Sequence, residues 1–371
     1  MKVKPTHTIF PRAFDEALPR DGGEILPFYL EKPYLCFFGR AAARLVFCLV
    51  LAFFLSPALL PRAAMAGETI TWTGTPPPFL QNITDPLLDS HTDSVAPQNS
   101  NTQSSSIEGN EITIDGNVPG SVFGAVNMFD SEAVTDNKVI TKIGRNVGGS
   151  VIGGLAGGNI VSATATGNSV TISGNMIGDR VIGGWAILLQ PGSATASDNA
   201  VIITDSTAYS VTGGAAEVVL WPNSGIATTS GNTATISGNS SVSHDVYGGK
   251  SFSDGGASVT ANSNTVNISI NGTVGLNVYG GHAQTDSGSA TTSGNTATIS
   301  GGTVNRNVYG GWAQSVSGTA TASGNSVTIS GGIFGTDPAY GNIYGGAVRS
   351  GSASASVTAT DNIVTISGGT G

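Results

Sequence analysis

Cysteine is nearly missing from this chain. Only 2 of 371 residues are Cys, and both, Cys36 and Cys48, precede residue 67. No disulfide framework can therefore hold the remaining residues together. Charge is scarce as well, at 11% of residues, where a soluble domain usually carries about a quarter. Strong helix formers are few, whereas Gly alone accounts for 53 residues. This composition argues against an ordinary helical or doubly wound domain. Basic residues are the rarer charge and sit mostly at the start. Residues 1–66 hold 8 of the 15 Lys and Arg and 5 of the 24 Asp and Glu, leaving 7 and 19, a net of −12. Without a basic patch, neither nucleic acid nor an anionic membrane surface is an expected partner.

Long apolar runs are absent too. Leu45 to Leu55 is an uninterrupted apolar run of 11 residues, preceded by Arg40 and Arg44 and followed by Pro57 and Pro61. Such a run is too short to cross a bilayer as a helix. The small-residue pattern Ala64-Met65-Ala66 precedes Gly67, so residues 1–66 read as an extended secretory signal peptide cleaved between Ala66 and Gly67. The expected address is therefore exported: cell surface, outer membrane or extracellular. Residues 67–106, rich in Pro, Ser, Thr and Asn, read as an entry segment.

What the rest of the chain has is a repeat. The pattern N-x-V-T-I-S-G begins at Asn110, Asn137, Asn168, Asn199, Asn232, Asn264, Asn295, Asn325 and Asn362, at spacings of 27, 31, 31, 33, 32, 31, 30 and 37. A second pattern, V-Y-G-G or V-I-G-G, runs in phase with it, at Val151, Val181, Val211, Val246, Val278, Val308 and Ile343. Within each repeat apolar residues alternate with Thr or Ser, the period of strands with one buried face. The fourth residue after the Asn is Ile172, Ile203, Ile236, Ile268, Ile299, Ile329 or Ile366, although the copy at Asn137 puts Thr141 there. One unit cannot bury such an edge, but stacked units place Ile on Ile and Asn on Asn. The reading is all-β: a β-solenoid (parallel β-helix) of about nine coils over residues 107–371, with a period near 31. The N-terminal repeats fit least well and are expected to form a cap. The last coil is expected to lack one, leaving the solenoid incomplete at the C-terminus and prone to self-association.

These residues resemble the passenger domains of adhesin-like autotransporters from Gram-negative bacteria, whose repeats read like VYGGWAQSVSGTATASGNSVTISGG at Val308 to Gly332. The resemblance implies a β-helix displayed at the cell surface by a C-terminal outer-membrane β-barrel, which this chain does not include. It implies a surface-displayed or secreted, non-enzymatic passenger acting in adhesion or surface structure, with a host or neighbouring-cell glycan or protein as partner. A β-helix carbohydrate-active enzyme and a bare structural stalk are the alternatives.

A search for chemistry yields no catalytic, cofactor or metal site. Acid–base work on a sugar needs two carboxyls about 5–10 Å apart, whereas Asp179, Asp205, Glu217, Asp245 and Asp286 stand singly near turns, and Asp198 and Asp361 share a motif position five repeats apart. His244 and His282 have no ligand partner at metal spacing. The remaining feature is an aromatic row, Tyr247, Tyr279, Tyr309 and Tyr344, with Trp185, Lys250, His282 and Trp312 three residues beyond the matching position. The Tyr rings are expected chiefly to stack on one another. The Trp185 and Trp312 position is expected to face outward as a possible contact surface.

Overall fold

The computed structural model describes residues 69–72, 95–96, 106–128, 132–219, 225–256, 258–335, 341–352 and 355–371. The leader with its cleavage pair Ala66–Gly67, and the insertion at 336–340, lie outside them. Among the described residues there is no helix, and every strand pairing is parallel. Strands stack into sheets of ten, nine, nine and five members, here called A, B, C and D. One coil runs from Ser169–Ser173 in sheet A, through Arg180–Leu188 in sheet B and Ser193–Ser197 in sheet C, to Ala200–Thr204 back in sheet A. Sheet D adds a two-residue rung between A and B in the later coils, beginning at Thr207–Ala208. This is the parallel β-solenoid expected from the repeat.

Nine of the ten rungs of sheet A carry the N-x-V-T-I motif. The tenth, Thr69–Trp72, pairs in register with Glu111–Ile114. With the Val95 bridge to Val122 and the strand Ser106–Glu108, it builds one more coil out of the stretch read as an entry segment.

The interior has two apolar compartments. The Val and Ile of sheet A, with the first Val of each sheet B strand, form one; the Ala rows of sheet C, with Ala186 and Leu188 of sheet B and their equivalents, form the other. The Ile row from Ile172 to Ile329 is essentially inaccessible to water, each residue contributing about 1.5–3 kcal/mol by burial. Thr141 interrupts that row, and the structure gives it a partner: Asn175 of the next coil donates its Nδ2 to Thr141 Oγ1. A hydroxyl at a core position is tolerated because it is hydrogen-bonded.

Between the compartments the lumen is pinched, and both sequence motifs meet there. Each Asn from Asn110 to Asn325 donates Nδ2 to Oδ1 of its counterpart in the next coil at 2.8–3.0 Å. The same Oδ1 accepts the donor residue's own backbone N–H, as from Asn199 to Asn232 at 3.0 Å. The second Nδ2 proton goes to a sheet C carbonyl of the preceding coil, as from Asn199 to Ala165 at 2.8 Å. An interior Asn thus uses both amide protons and both lone-pair directions. The residue before each ladder Asn turns the corner in the left-handed region: Gly109, Asp136, Gly167, Asp198, Gly231, Ser263, Gly294, Gly324 and Asp361 all have φ between 50° and 71°. Five of these nine are Gly and three are Asp, residues that tolerate that conformation, and one is Ser263.

Candidate functional site

The candidate surface is the outer face of sheet B, built from three outward rows. In register from coil to coil, the first row is Phe123, Ile152, Ile182, Thr212, Tyr247, Tyr279, Tyr309 and Tyr344. The second is Val126, Leu155, Trp185, Ala215, Lys250, His282, Trp312 and Ala347. Two residues further on, Gly157, Ile187, Glu217, Phe252, Gln284, Gln314 and Arg349 form the third. The Gly-Gly pair lies between the first and second rows, so residues three apart face the same way. This is why the Tyr of V-Y-G-G and the residue after G-G share a surface.

The face divides into halves. In its first coils the outward residues Phe123, Ile152, Leu155, Ile182, Trp185 and Ile187 belong to one buried cluster, with Leu189 and Val219 at its margin. Trp185 is only 4% exposed. Trp185, expected to face outward as a possible contact residue, points away from the lumen and is packed in an apolar cluster. Its strand, VIGGWAIL, is buried on both faces, and such strands read as unbroken apolar runs.

The other half is aromatic and partly open. Tyr247, Tyr279, Tyr309 and Tyr344 stack nearly parallel, with centroids 5.0, 4.9 and 5.1 Å apart and planes within 6°. Coil spacing alone sets these distances, so stacking accounts for the row, and the ring faces are used up between neighbours. The second row closes over their edges. His282 stands edge-on to Tyr279 at 5.0 Å and to Tyr247 at 5.6 Å, and Trp312 edge-on to Tyr309 at 4.9 Å. Lys250 lies 5.9 Å from the Tyr247 and Phe252 ring centres and 3.4 Å from Glu217. Trp312 remains half-buried.

Beneath this half runs a second amide ladder. Asn342 donates to Asn307 at 3.2 Å, Asn307 to Asn277 at 3.3 Å, and Asn277 to Oδ1 of Asp245 at 3.0 Å. It runs opposite to the first ladder and ends on Asp245, whose other oxygen accepts the Tyr247 hydroxyl at 3.1 Å. A carboxylate has no proton to donate and is a fitting terminus. The Asn repeated two residues before Tyr279, Tyr309 and Tyr344, with Asp245 in that place before Tyr247, was the sequence signal for it.

Packing sets the electrostatics. Burial, with the Asp245 charge nearby, raises the phenols of Tyr247 and Tyr279 well above their ordinary range, and burial raises Tyr309 to about 12. Burial, with the Lys250 charge second, lowers His282 to about 3. Of the carboxylates, Glu217 pairs with Lys250 and Asp179 accepts from Ser150 at 2.7 Å, while Asp198 and Asp361 occupy corners. Among the described residues no group of three or more His, Cys, Asp or Glu is placed to hold a metal ion. No protein-family model, no characterised protein and no solved structure matches this chain.

Proposed function

We propose that this chain is a non-enzymatic passenger of the adhesin-like autotransporter kind, exported by its leader, cleaved after Ala66 and displayed at the bacterial surface or released. There it serves adhesion or surface structure, and its translocator would be an outer-membrane β-barrel. One observation carries the reading: in an in-register parallel solenoid, the outer face of sheet B is aromatic and partly open in its later coils while its aliphatic first coils are closed. Recognition is the use this face suits, because rigid aromatic side chains give contact area at little entropic cost. The carboxylates support the non-enzymatic part, since Glu217, Asp179 and Asp245 are held in structural pairs rather than aimed together.

The test is to express the chain with its leader, recover it from the medium or the cell surface, and coat beads with it. An N-terminus at Gly67 and saturable retention of the beads on epithelial cells are expected, with retention reduced by Trp312→Ala. Recovery only from the cytoplasm, uncleaved, would remove the export reading. Exported protein that gives no retention would leave a bare stalk.

A further inference from the structure

Coil spacing holds four rings of sheet B in an unbroken chain of contacts. Trp312 meets Tyr309 at 4.9 Å, Tyr309 meets Tyr279 at 4.9 Å, and Tyr279 meets Tyr247 at 5.0 Å between ring centres. The three coils that carry them have a further coil on either side. The two ends of this chain differ. Trp312 is half-buried while Tyr309 behind it is only 6% exposed, so a molecule arriving at that end meets the indole first. At the other end the Tyr247 hydroxyl donates to Oδ2 of Asp245 at 3.1 Å. Asn277 fixes that carboxylate by donating its backbone N–H and Nδ2 to Oδ1 at 2.9 and 3.0 Å. The place that Asp245 takes before Tyr247 is held by Asn277, Asn307 and Asn342 before the other three tyrosines. Tyr247 is therefore the ring of this row that is supplied with a base, since a carboxylate takes a proton and an amide does not.

That asymmetry decides where an oxidising equivalent comes to rest. A phenol that loses one electron becomes a far stronger acid than a carboxylic acid, so the ring that gives up its electron most readily is the one whose proton has an acceptor. Lys250, 5.9 Å from the Tyr247 ring centre, adds to this, because a nearby cation disfavours a positively charged ring and favours the neutral radical. Both cysteines precede residue 67, so no thiol of residues 67–371 competes for an oxidant. We infer that Trp312, Tyr309, Tyr279 and Tyr247 form a one-electron relay that takes an oxidising equivalent at the indole and traps it on Tyr247. Its co-reactant is an outer-sphere one-electron oxidant in solution, which gains one electron from Trp312. An electron then passes from Tyr247 through the Tyr279 and Tyr309 rings and restores the indole. As it leaves, the O–H bond of Tyr247 breaks and its proton forms a new O–H bond with Oδ2 of Asp245. The oxidant is reduced by one electron, Tyr247 is left as a neutral radical, and Asp245 is left as the acid. The relay requires no ligand on the face, so it stands apart from adhesion.

The experiment oxidises residues 67–371 with a photogenerated trivalent ruthenium complex and follows the radicals by transient absorption and by electron paramagnetic resonance of frozen samples. An indole radical is expected first, giving way to a tyrosyl radical. Trp312→Phe should remove the indole phase, and Tyr247→Phe should shorten the life of the tyrosyl signal at least tenfold although the other tyrosines remain. Asp245→Asn keeps an oxygen for the Tyr247 hydroxyl but no base, and should shorten that life by a similar factor. Tyr279→Leu breaks the chain of rings and should slow the conversion of indole to tyrosyl radical at least tenfold. Should it lose the strand signal in circular dichroism, Trp312→Phe and Asp245→Asn still decide. A tyrosyl radical that lives as long in Tyr247→Phe or Asp245→Asn as in wild type would overturn the trap. An indole phase that survives in Trp312→Phe, or an undiminished conversion rate in a folded Tyr279→Leu, would overturn the path.

Discussion

Gly281 and Asn295 face each other across the lumen so closely that a Cβ on the glycine would overlap the amide of the asparagine. The same relation joins Gly154 to Asn168, Gly184 to Asn199, Gly214 to Asn232, Gly249 to Asn264, Gly311 to Asn325 and Gly346 to Asn362. The two repeated motifs are therefore one device: the glycine removes the side chain that would occupy the space of the amide ladder. Gly281→Ala is expected to destabilise the solenoid by about 1–3 kcal/mol through overpacking. Asn295→Ala strands the Asn264 amide and backbone N–H, which lose their shared acceptor at 3.0 Å, at about 1–3 kcal/mol for each buried group left unmade. The double variant should lose less than the sum, because the new methyl then has room. Thermal unfolding of the four proteins gives the cycle, and strict additivity would mean that the ladder does not confine the glycine.

Most of this architecture was legible in the sequence because solenoid stacking turns three-dimensional neighbours into a one-dimensional period. The Ile row from Ile172 to Ile329 and the Asn row were visible as columns, and their burial follows from alternation alone. Three features were not legible. Thr69–Trp72 forms a rung without the Asn that marks the others. Thr141 looked like a fault in the Ile row, and only the fold brings Asn175 of the next coil to its hydroxyl. Trp185 shares a row with Trp312, yet one is closed in and the other half-open, because burial depends on what surrounds a row and not on its period. The run VIGGWAIL, apolar on both alternating faces, was the signal to read.

The aromatic half of sheet B should make stability fall at both ends of the pH scale. A tyrosine titrates near 10 when unfolded, whereas Tyr309 is raised to about 12 and Tyr247 and Tyr279 are also raised. Their contribution is fully present below pH 10 and is lost as pH rises from 10 through 12, since the unfolded chain then gives up protons that the folded chain keeps. His282 goes the other way. Its folded value of about 3 lies below the unfolded 6.5, so its contribution is present above pH 6.5 and is lost as pH falls toward 3. Melting temperature against pH should show both shoulders. Tyr279→Phe should flatten the alkaline one and His282→Gln the acid one. A variant profile parallel to wild type would show that these rings do not govern the response.

Ile329 and Ile366 occupy the same column in adjacent coils, but Ile329 is 0% exposed and Ile366 58%. Ile363 at 59% and Val364 at 42% are likewise open on the last strand of sheet A, and Val357 at 50% on the last strand of sheet C. These strands also present backbone N–H and C=O groups along their outer edge, which makes that end a template for another strand. Residues 67–371 expressed by themselves are therefore expected to self-associate, with a mean mass by light scattering that rises with concentration. Placing lysine on the edge opposes this, because pairing would bring like charges together and bury ammonium groups. The double variant Val364→Lys, Ile366→Lys should remain monomeric while keeping the strand signal of the wild type in circular dichroism. Two results would sink the edge argument: a wild-type chain that stays monomeric at high concentration, or a double variant that associates as strongly as wild type, which would place the contact on another surface.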